Sequence, residues 1–141
     1  MQSIRTLAII KPDALRSGDA GKILTVIEDS GLTIEAARMF RLTREQAGEF
    51  YGVHKGKPFY EELLSFMTSG PCIALVLSGE NTIARWRELM GATDPEKAAE
   101  GTIRKLYGTS VRFNACHGSD APETARQEIA FFFSGSELPE N

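Results

Sequence analysis

Histidine, cysteine and tryptophan are scarce in these 141 residues: two, two and one. Two histidines, His54 and His117, are too few for a multi-histidine metal centre. The two cysteines, Cys72 and Cys116, lie far apart and outside any C-x-x-C pair. They make no disulfide framework, and a cytoplasmic setting is expected. Long apolar runs are missing too. The longest, Cys72–Leu77, is far too short to span a membrane. Met1 to Arg5 lacks the basic region and apolar stretch of a signal peptide, so none is expected. Nor is there a surplus of cations. The 16 Lys and Arg stand against 19 Asp and Glu, a net charge of −3. That argues against a general nucleic-acid surface, which needs excess positive charge. It leaves room for a small anionic ligand, because a pocket can be locally positive on an acidic protein. A P-loop is absent. Gly18-Asp19-Ala20-Gly21-Lys22-Ile23 imitates one, but Arg16 stands where its first glycine belongs and Ile23 where Ser or Thr is needed. No G-x-G-x-x-G, G-x-S-x-G or H-E-x-x-H occurs either.

What is present suits one globular domain over residues 1–141, with a polar tail at 134–141 expected to fray. The composition, 42% hydrophobic and 25% charged, is ordinary for such a domain. The charge is uneven. Residues 81–117 hold six basic and four acidic side chains, net +2, whereas residues 118–141 hold one and five, net −4. Arg5–Ile10 and Pro71–Leu77 read as strands, the second covered on both faces. Thr33–Leu42 alternates, placing Ile34, Ala36, Phe40 and Leu42 on one face. Val111–His117 has room for a fourth strand. Helices are expected over Gly21–Ser30, after the capping box Thr43-Arg44-Glu45-Gln46, from Pro58-Phe59 through Met67, and over Asn81–Met90. Two more are expected to start at Thr93-Asp94-Pro95-Glu96 and at Asp120-Ala121-Pro122-Glu123. Two βαβ halves in one small domain predict an α/β (α+β) ferredoxin-like βαββαβ fold, a four-stranded antiparallel sheet with surrounding helices. That fold alone does not assign a function.

The densest polar cluster is Asn114-Ala115-Cys116-His117-Gly118-Ser119-Asp120, between a predicted strand and a helix start, where α/β folds tend to place chemistry. His117 there suits a nucleophile, a base or a ligand. The simpler alternative is a surface turn, with Ser119 and Asp120 capping the last helix. On that helix Ala125, Ile129, Phe132 and Phe133 form an apolar stripe, and Glu128 sits at its edge, able to turn inward to His117. A carboxylate on one ring nitrogen would fix the tautomer and free the other nitrogen. Phe131 points off the stripe, which predicts a subunit contact covering it. Arg87 borders the stripe Ile83, Trp86, Met90, and Arg104 lies on the next helix. Both suit phosphate oxygens, and both suit a surface role with packed stems. Lys11 before Pro12 is a fixed cation or a plain strand end. Phe59 is a core aromatic or a stacking platform for a base. Tyr51 is core or a site hydroxyl, and His54 is read as solvated. Cys116 is read as an inert small residue, with oxidation sensitivity beside His117 as the alternative.

The chain resembles the nucleoside diphosphate kinase family along essentially its whole length. Asn114–Asp120 matches the family's N-x-x-H-G-S-D signature. Further matches are Thr6–Ala14, Phe50-Tyr51, Lys57-Pro58-Phe59-Tyr60, Ser69-Gly70-Pro71, Arg87–Thr93 and Gly101-Thr102-Ile103-Arg104. The resemblance implies that His117 carries the phosphoryl group on Nδ1 while Glu128, supported by Ser119, holds the other ring nitrogen. It implies phosphate binding by Lys11, Arg87, Thr93 and Arg104, ribose contacts from Asn114 and Lys11, base stacking on Phe59, and Tyr51 beside His117. Magnesium (Mg2+) would be held mainly through the nucleotide phosphates. The implied partners are nucleoside di- and triphosphates and further copies of the chain, in a tetramer or hexamer built from dimers, with no membrane and no specific nucleic acid. Ala121, Cys116 and Trp86 depart from common family residues without touching a named role. The competing reading is a ferredoxin-like nucleic-acid-binding or non-catalytic interaction module.

Overall fold

In the computed structural model, which describes residues 4–138, four strands form one antiparallel sheet in the order β2-β3-β1-β4. The strands are β1 (Ile4–Ile10), β2 (Thr33–Phe40), β3 (Cys72–Gly79) and β4 (Cys116–Gly118). The helices are α1 (Pro12–Arg16), α2 (Ala20–Asp29), α3 (Arg44–Phe50), α4 (Tyr60–Met67), α5 (Thr82–Met90), α6 (Ile103–Tyr107) and α7 (Pro122–Phe132). This is the expected ferredoxin-like arrangement. Residues 1–3, read for a leader, and residues 139–141, the end of the polar tail, lie outside the described residues.

Leu7–Ile10 of β1 and Cys72–Leu77 of β3 are apolar because helices cover both of their faces, and successive side chains serve opposite cores. Leu7 and Ile9 join Ala74 and Val76 in one core, closed by Ala47 of α3, Leu64 of α4, and Ile129 and Phe132 of α7. Ala8 and Ile10 join Leu75 and Leu77 in the other, closed by Ile23 and Ile27 of α2, Trp86 and Met90 of α5, and Ile103 of α6.

Several elements differ from expectation, each for a local reason. In β2 the register shifts between Ile34 and Ala36, a bulge at Glu35. A bulge inserts one residue and reverses the alternation after it. Ile34 therefore packs with the α2/α5 core, whereas Ala36 and Phe40 pack with the α3/α7 core. The start at Thr93-Asp94-Pro95-Glu96 makes only a 3-10 turn, Pro95–Lys97. Gly101 then takes φ +85, and Thr102 caps α6 through the Lys105 N–H. β4 holds three residues rather than seven. α7 opens at Ala121 without a side-chain cap, so Ser119 and Asp120 do not cap it. The capping box of α3 is present, with Gln46 N–H donating to Thr43 Oγ1 and Thr43 N–H to Gln46 Oε1. The tail carries local structure through Leu138. Ser134 and Glu137 cap a 3-10 turn, and Leu138 packs on the core. Phe131 is half-buried against Phe50 and Phe132, at 5.3 and 5.0 Å between ring centres, so no subunit contact is needed to cover it.

Trp86 is fully buried and donates its indole N–H to the His117 carbonyl at 3.2 Å. A Cβ on the neighbouring Gly118 would stand 2.6 Å from both Trp86 and Met90 Cε. Gly118→Ala is expected to cost about 1–3 kcal/mol by overpacking. Thermal unfolding followed by the emission of the single tryptophan checks this, and an unchanged Tm would contradict it.

Candidate active site

The site is built on the end of the shortest strand. β4 pairs with β1 so that His117 lies opposite Ile9 and Cys116 opposite Ile10. The alternation turns His117 toward α7 and α3, and Cys116 into the other core. Cys116 is therefore next to His117 in sequence and across the sheet from it. Cys116 is fully buried, and burial pushes its thiol up to about 11. A buried neutral thiol is a poor target for oxidation, which favours the inert reading.

β4 stops at Cys116 because Ala115 is left-handed, with φ 74. The Cys116 N–H donates to the Asn114 carbonyl at 2.9 Å, closing a three-residue turn. A non-glycine residue in this region carries strain on the order of 1–3 kcal/mol. Two bonds to the β1–α1 junction hold it. Ala115 N–H donates to Asp13 Oδ2 at 3.1 Å, and the Ala115 carbonyl accepts from Lys11 N–H at 2.9 Å.

Glu128 turns inward, as the stripe suggested. Its Oε1 lies 3.0 Å from His117 Nε2 and accepts from Ser119 Oγ at 2.7 Å. A carboxylate here makes Nε2 the protonated nitrogen and leaves Nδ1 with a free lone pair. Phe50 packs edge-on to the His117 ring, with ring centres 5.6 Å apart. The Tyr51 hydroxyl is buried without a hydrogen-bond partner among the described residues, and burial raises it well above the ordinary phenol range.

His117 and Glu128 open into a cavity of about 770 Å³, also lined by Lys11, Tyr51, Phe59, Thr93, Arg104 and Asn114. Lys11 Nζ donates to Asn114 Oδ1 at 2.8 Å, and the Asn114 amide donates to the Thr93 carbonyl at 3.1 Å. Burial, then the Arg104 charge, lowers the Lys11 ammonium to about 8. Arg104 is also buried. Its Nη1 and Nη2 donate to the carbonyls of Gly91 and Cys116 at 3.1 and 3.0 Å, and its Nε lacks a partner among the described residues. Phe59 is 38% exposed at the mouth.

Nine of the ten residues singled out from the sequence therefore meet here: eight line the cavity, and Ser119 braces Glu128 from behind. Arg87 does not. It is exposed on α5 and makes itself felt on the site only through its charge on Arg104. The sequence reading missed Val53, Leu63, Ser110, Val111 and Arg112, which also line the cavity. His54, read as solvated, lines it too, with its ring centre 5.3 Å from that of Phe59. Only their nearness to Phe59 or to Asn114 in sequence could have flagged them. Arg112 also pairs with Glu62, and Phe113 packs on Phe66, which ties the loop carrying Val111 to α4.

The family model described as "Nucleoside diphosphate kinase" matches residues 4–138. A nucleoside diphosphate kinase of Bradyrhizobium diazoefficiens is 59% identical over 134 residues, covering 95% of this chain and 96% of that one. The chain belongs to the nucleoside diphosphate kinase family. It is thus an enzyme, a nucleotide-binding phosphotransferase, and the interaction-module reading gives way. The Aquifex aeolicus nucleoside diphosphate kinase superposes with a TM-score of 0.95 at 50% identity, over 98% of this chain and 100% of that one. A halophilic nucleoside diphosphate kinase from Halobacterium salinarum, solved in complex with CDP, gives 0.95 at 41% identity, over 99% and 93%. A kinase reaction of this family generally needs a divalent metal. No helix here is long and apolar enough to cross a membrane among the described residues.

The ring geometry predicts the tautomer. Nitrogen NMR of His117 should show Nε2 protonated and Nδ1 bare, and Glu128→Ala should mix the two forms. A dominant Nδ1–H form in the unaltered protein would refute the assignment.

Proposed function

We propose that this chain transfers the γ-phosphoryl group of a nucleoside triphosphate, chiefly ATP, to a nucleoside diphosphate through a phosphohistidine on His117. The carrying observation is the chain Ser119–Glu128–His117, which leaves Nδ1 free above a cavity floored by buried cations. In the first half-reaction the Nδ1 lone pair attacks the γ-phosphorus and the P–O bond to the departing diphosphate breaks. Glu128 keeps the Nε2 proton in place and balances the positive charge that builds on the ring. In the second half a new diphosphate oxygen attacks the phosphohistidine and Nδ1 leaves. Two half-reactions at one site give ping-pong kinetics.

Lys11 and Arg104 supply fixed charge for the phosphates, which is most of what phosphoryl transfer asks of a protein. Thr93 and Asn114 stand on the same wall and suit phosphate and ribose contacts, and Tyr51 packs beside the reacting ring. Arg87 lies close enough to act on Arg104, and a bound polyphosphate longer than the cavity floor would reach it. Phe59 offers its exposed ring to a base. Stacking accepts any base, so low base specificity is expected. The CDP bound to the Halobacterium salinarum relative supports a nucleotide ligand for this cavity.

Magnesium fits this site as a passenger. Among the described residues no group of three or more His, Cys, Asp or Glu side chains could hold a metal, and Glu128 is already engaged. The ion would ride on the nucleotide phosphates, where it would neutralise their charge and polarise the γ-phosphorus.

Among the described residues the edge strand β2 pairs only with β3, and Met39 on it is 64% exposed. An open edge of this kind supports pairing with a second copy, and the family resemblance extends that dimer to a tetramer or hexamer. Two free buried cysteines fit a cytoplasmic location.

Incubation with γ-labelled ATP and magnesium should place an acid-labile label on the protein and none on His117→Gly. An acid-stable label, or a labelled His117→Gly, would sink the mechanism. The pH profile adds a second check. Lys11 is charged below about 8 and neutral above it, so kcat/KM should fall as pH rises through that value. Lys11→Arg should remove that alkaline limb, because guanidinium stays charged. A limb that survives the replacement would assign it to another group.

A further inference from the structure

Asp13 takes no part in the roles above, yet it touches the strained turn that carries the site. Pro12 opens α1 and Asp13 sits in its first turn, directly after the cavity-lining Lys11. Its Oδ2 accepts the N–H of Ala115, the fully buried residue held at φ 74. Its other oxygen, Oδ1, is buried with no hydrogen-bond partner among the described residues. A part-buried carboxylate with one oxygen shut off from solvent and unpaired is costly to keep and calls for a reason. The Ala115 turn supplies one. Asn114, before it, holds the Lys11 ammonium, and His117, two residues after it, faces the cavity. If Ala115 relaxed to an ordinary extended backbone, the side chains on its two sides would rotate away from their partners.

We infer that Asp13 is a positioning residue for phosphoryl transfer: its bond to the Ala115 N–H holds the left-handed turn that aims His117 and Asn114 into the cavity. The inference rests on the reading of His117 as the phosphoryl carrier. The chain thus uses the Lys11-Pro12-Asp13 segment twice. Lys11 supplies charge to the cavity, while the Lys11 N–H and the Asp13 carboxylate clamp the turn from its carbonyl and amide sides.

The test is the isolated half-reaction, followed by rapid mixing with ATP and magnesium. Asp13→Ala is expected to slow the maximal phosphorylation of His117 about 10- to 100-fold. The ATP dissociation constant should rise by less than the rate falls, because Asn114 turns away from Lys11 while the rest of the cavity wall stays in place. Glycine adopts the left-handed region at little cost. Adding Ala115→Gly to Asp13→Ala should therefore recover much of the lost rate, which a general loss of stability would not allow. Asp13→Asn keeps an acceptor oxygen of the same size and should fall between the two. It also serves as the readable variant should Asp13→Ala fail to fold. The inference is overturned if both Asp13 variants phosphorylate within twofold of the unaltered rate per folded molecule. It is equally overturned if the slowing follows the unfolded fraction, or if Ala115→Gly restores nothing. An unaltered protein that takes no label at His117 would overturn both this inference and the phosphohistidine reading. A fault in Asp13 alone leaves that reading standing.

Discussion

The pairing of three residues of β4 with β1 decides where the chemistry can be. β1 is buried from Thr6 to Ile10, and helices close on both of its faces. A strand added to its edge must send alternate side chains into opposite cores, so the register leaves no freedom. With Ile9 opposite His117, the imidazole falls on the α7 side, within reach of Glu128, and Cys116 falls on the other. Shifting the register by one residue would exchange them, burying the histidine and presenting a thiol. The Trp86 indole bound to the His117 carbonyl and the close approach at Gly118 resist that shift from the side of α5.

Around this fixed point the protein holds charges that are expensive without a ligand. Lowering the Lys11 ammonium from 10.5 to about 8 disfavours its charged form by roughly 3 kcal/mol. Arg104 gives two donors to backbone carbonyls and keeps Nε unpaired. An anion entering the cavity relieves this cost, so part of its binding is prepared before it arrives. On the proposed mechanism the same desolvation would strengthen each contact with transferring charge, since these groups need no rearrangement when the reaction comes. This explains how an acidic chain can serve a polyanion. The two cations it buries, Lys11 and Arg104, both line the cavity.

Much of this was legible in the residues. Continuous apolar runs gave the buried strands, and the edge position of Glu128 on its apolar stripe pointed to His117. The density of polar residues from Asn114 to Asp120 marked the site itself. The unreadable parts share a cause, in that they depend on backbone states no residue type announces. Alanine does not advertise a left-handed φ, so the turn at Ala115, the shortness of β4 and the service of Asp13 stayed hidden. A bulge at Glu35 leaves no signature in a strand of ordinary composition, and it reversed the faces of Ile34 and Ala36. The start at Thr93 carries good helix signals, but Gly101 and the competing cap at Thr102 end it early. Helical spacing placed Arg87 at the border of its stripe without fixing how far α5 stands from the cavity.

The two-sided burial of the sheet has an evolutionary consequence. Neighbouring positions in β1 and β3 answer to different sets of helices, so a volume change at Ile9 can be compensated from α3, α4 or α7, and one at Ile10 from α1, α2, α5 or α6. Compensating substitutions should fall into two groups interleaved along the strands and almost independent of each other. β4 joins those groups, because His117 faces one core while Cys116 packs within the other. A lineage could remodel much of the Cys116 side without changing what the His117 ring touches, provided Trp86 kept its bond to the His117 carbonyl.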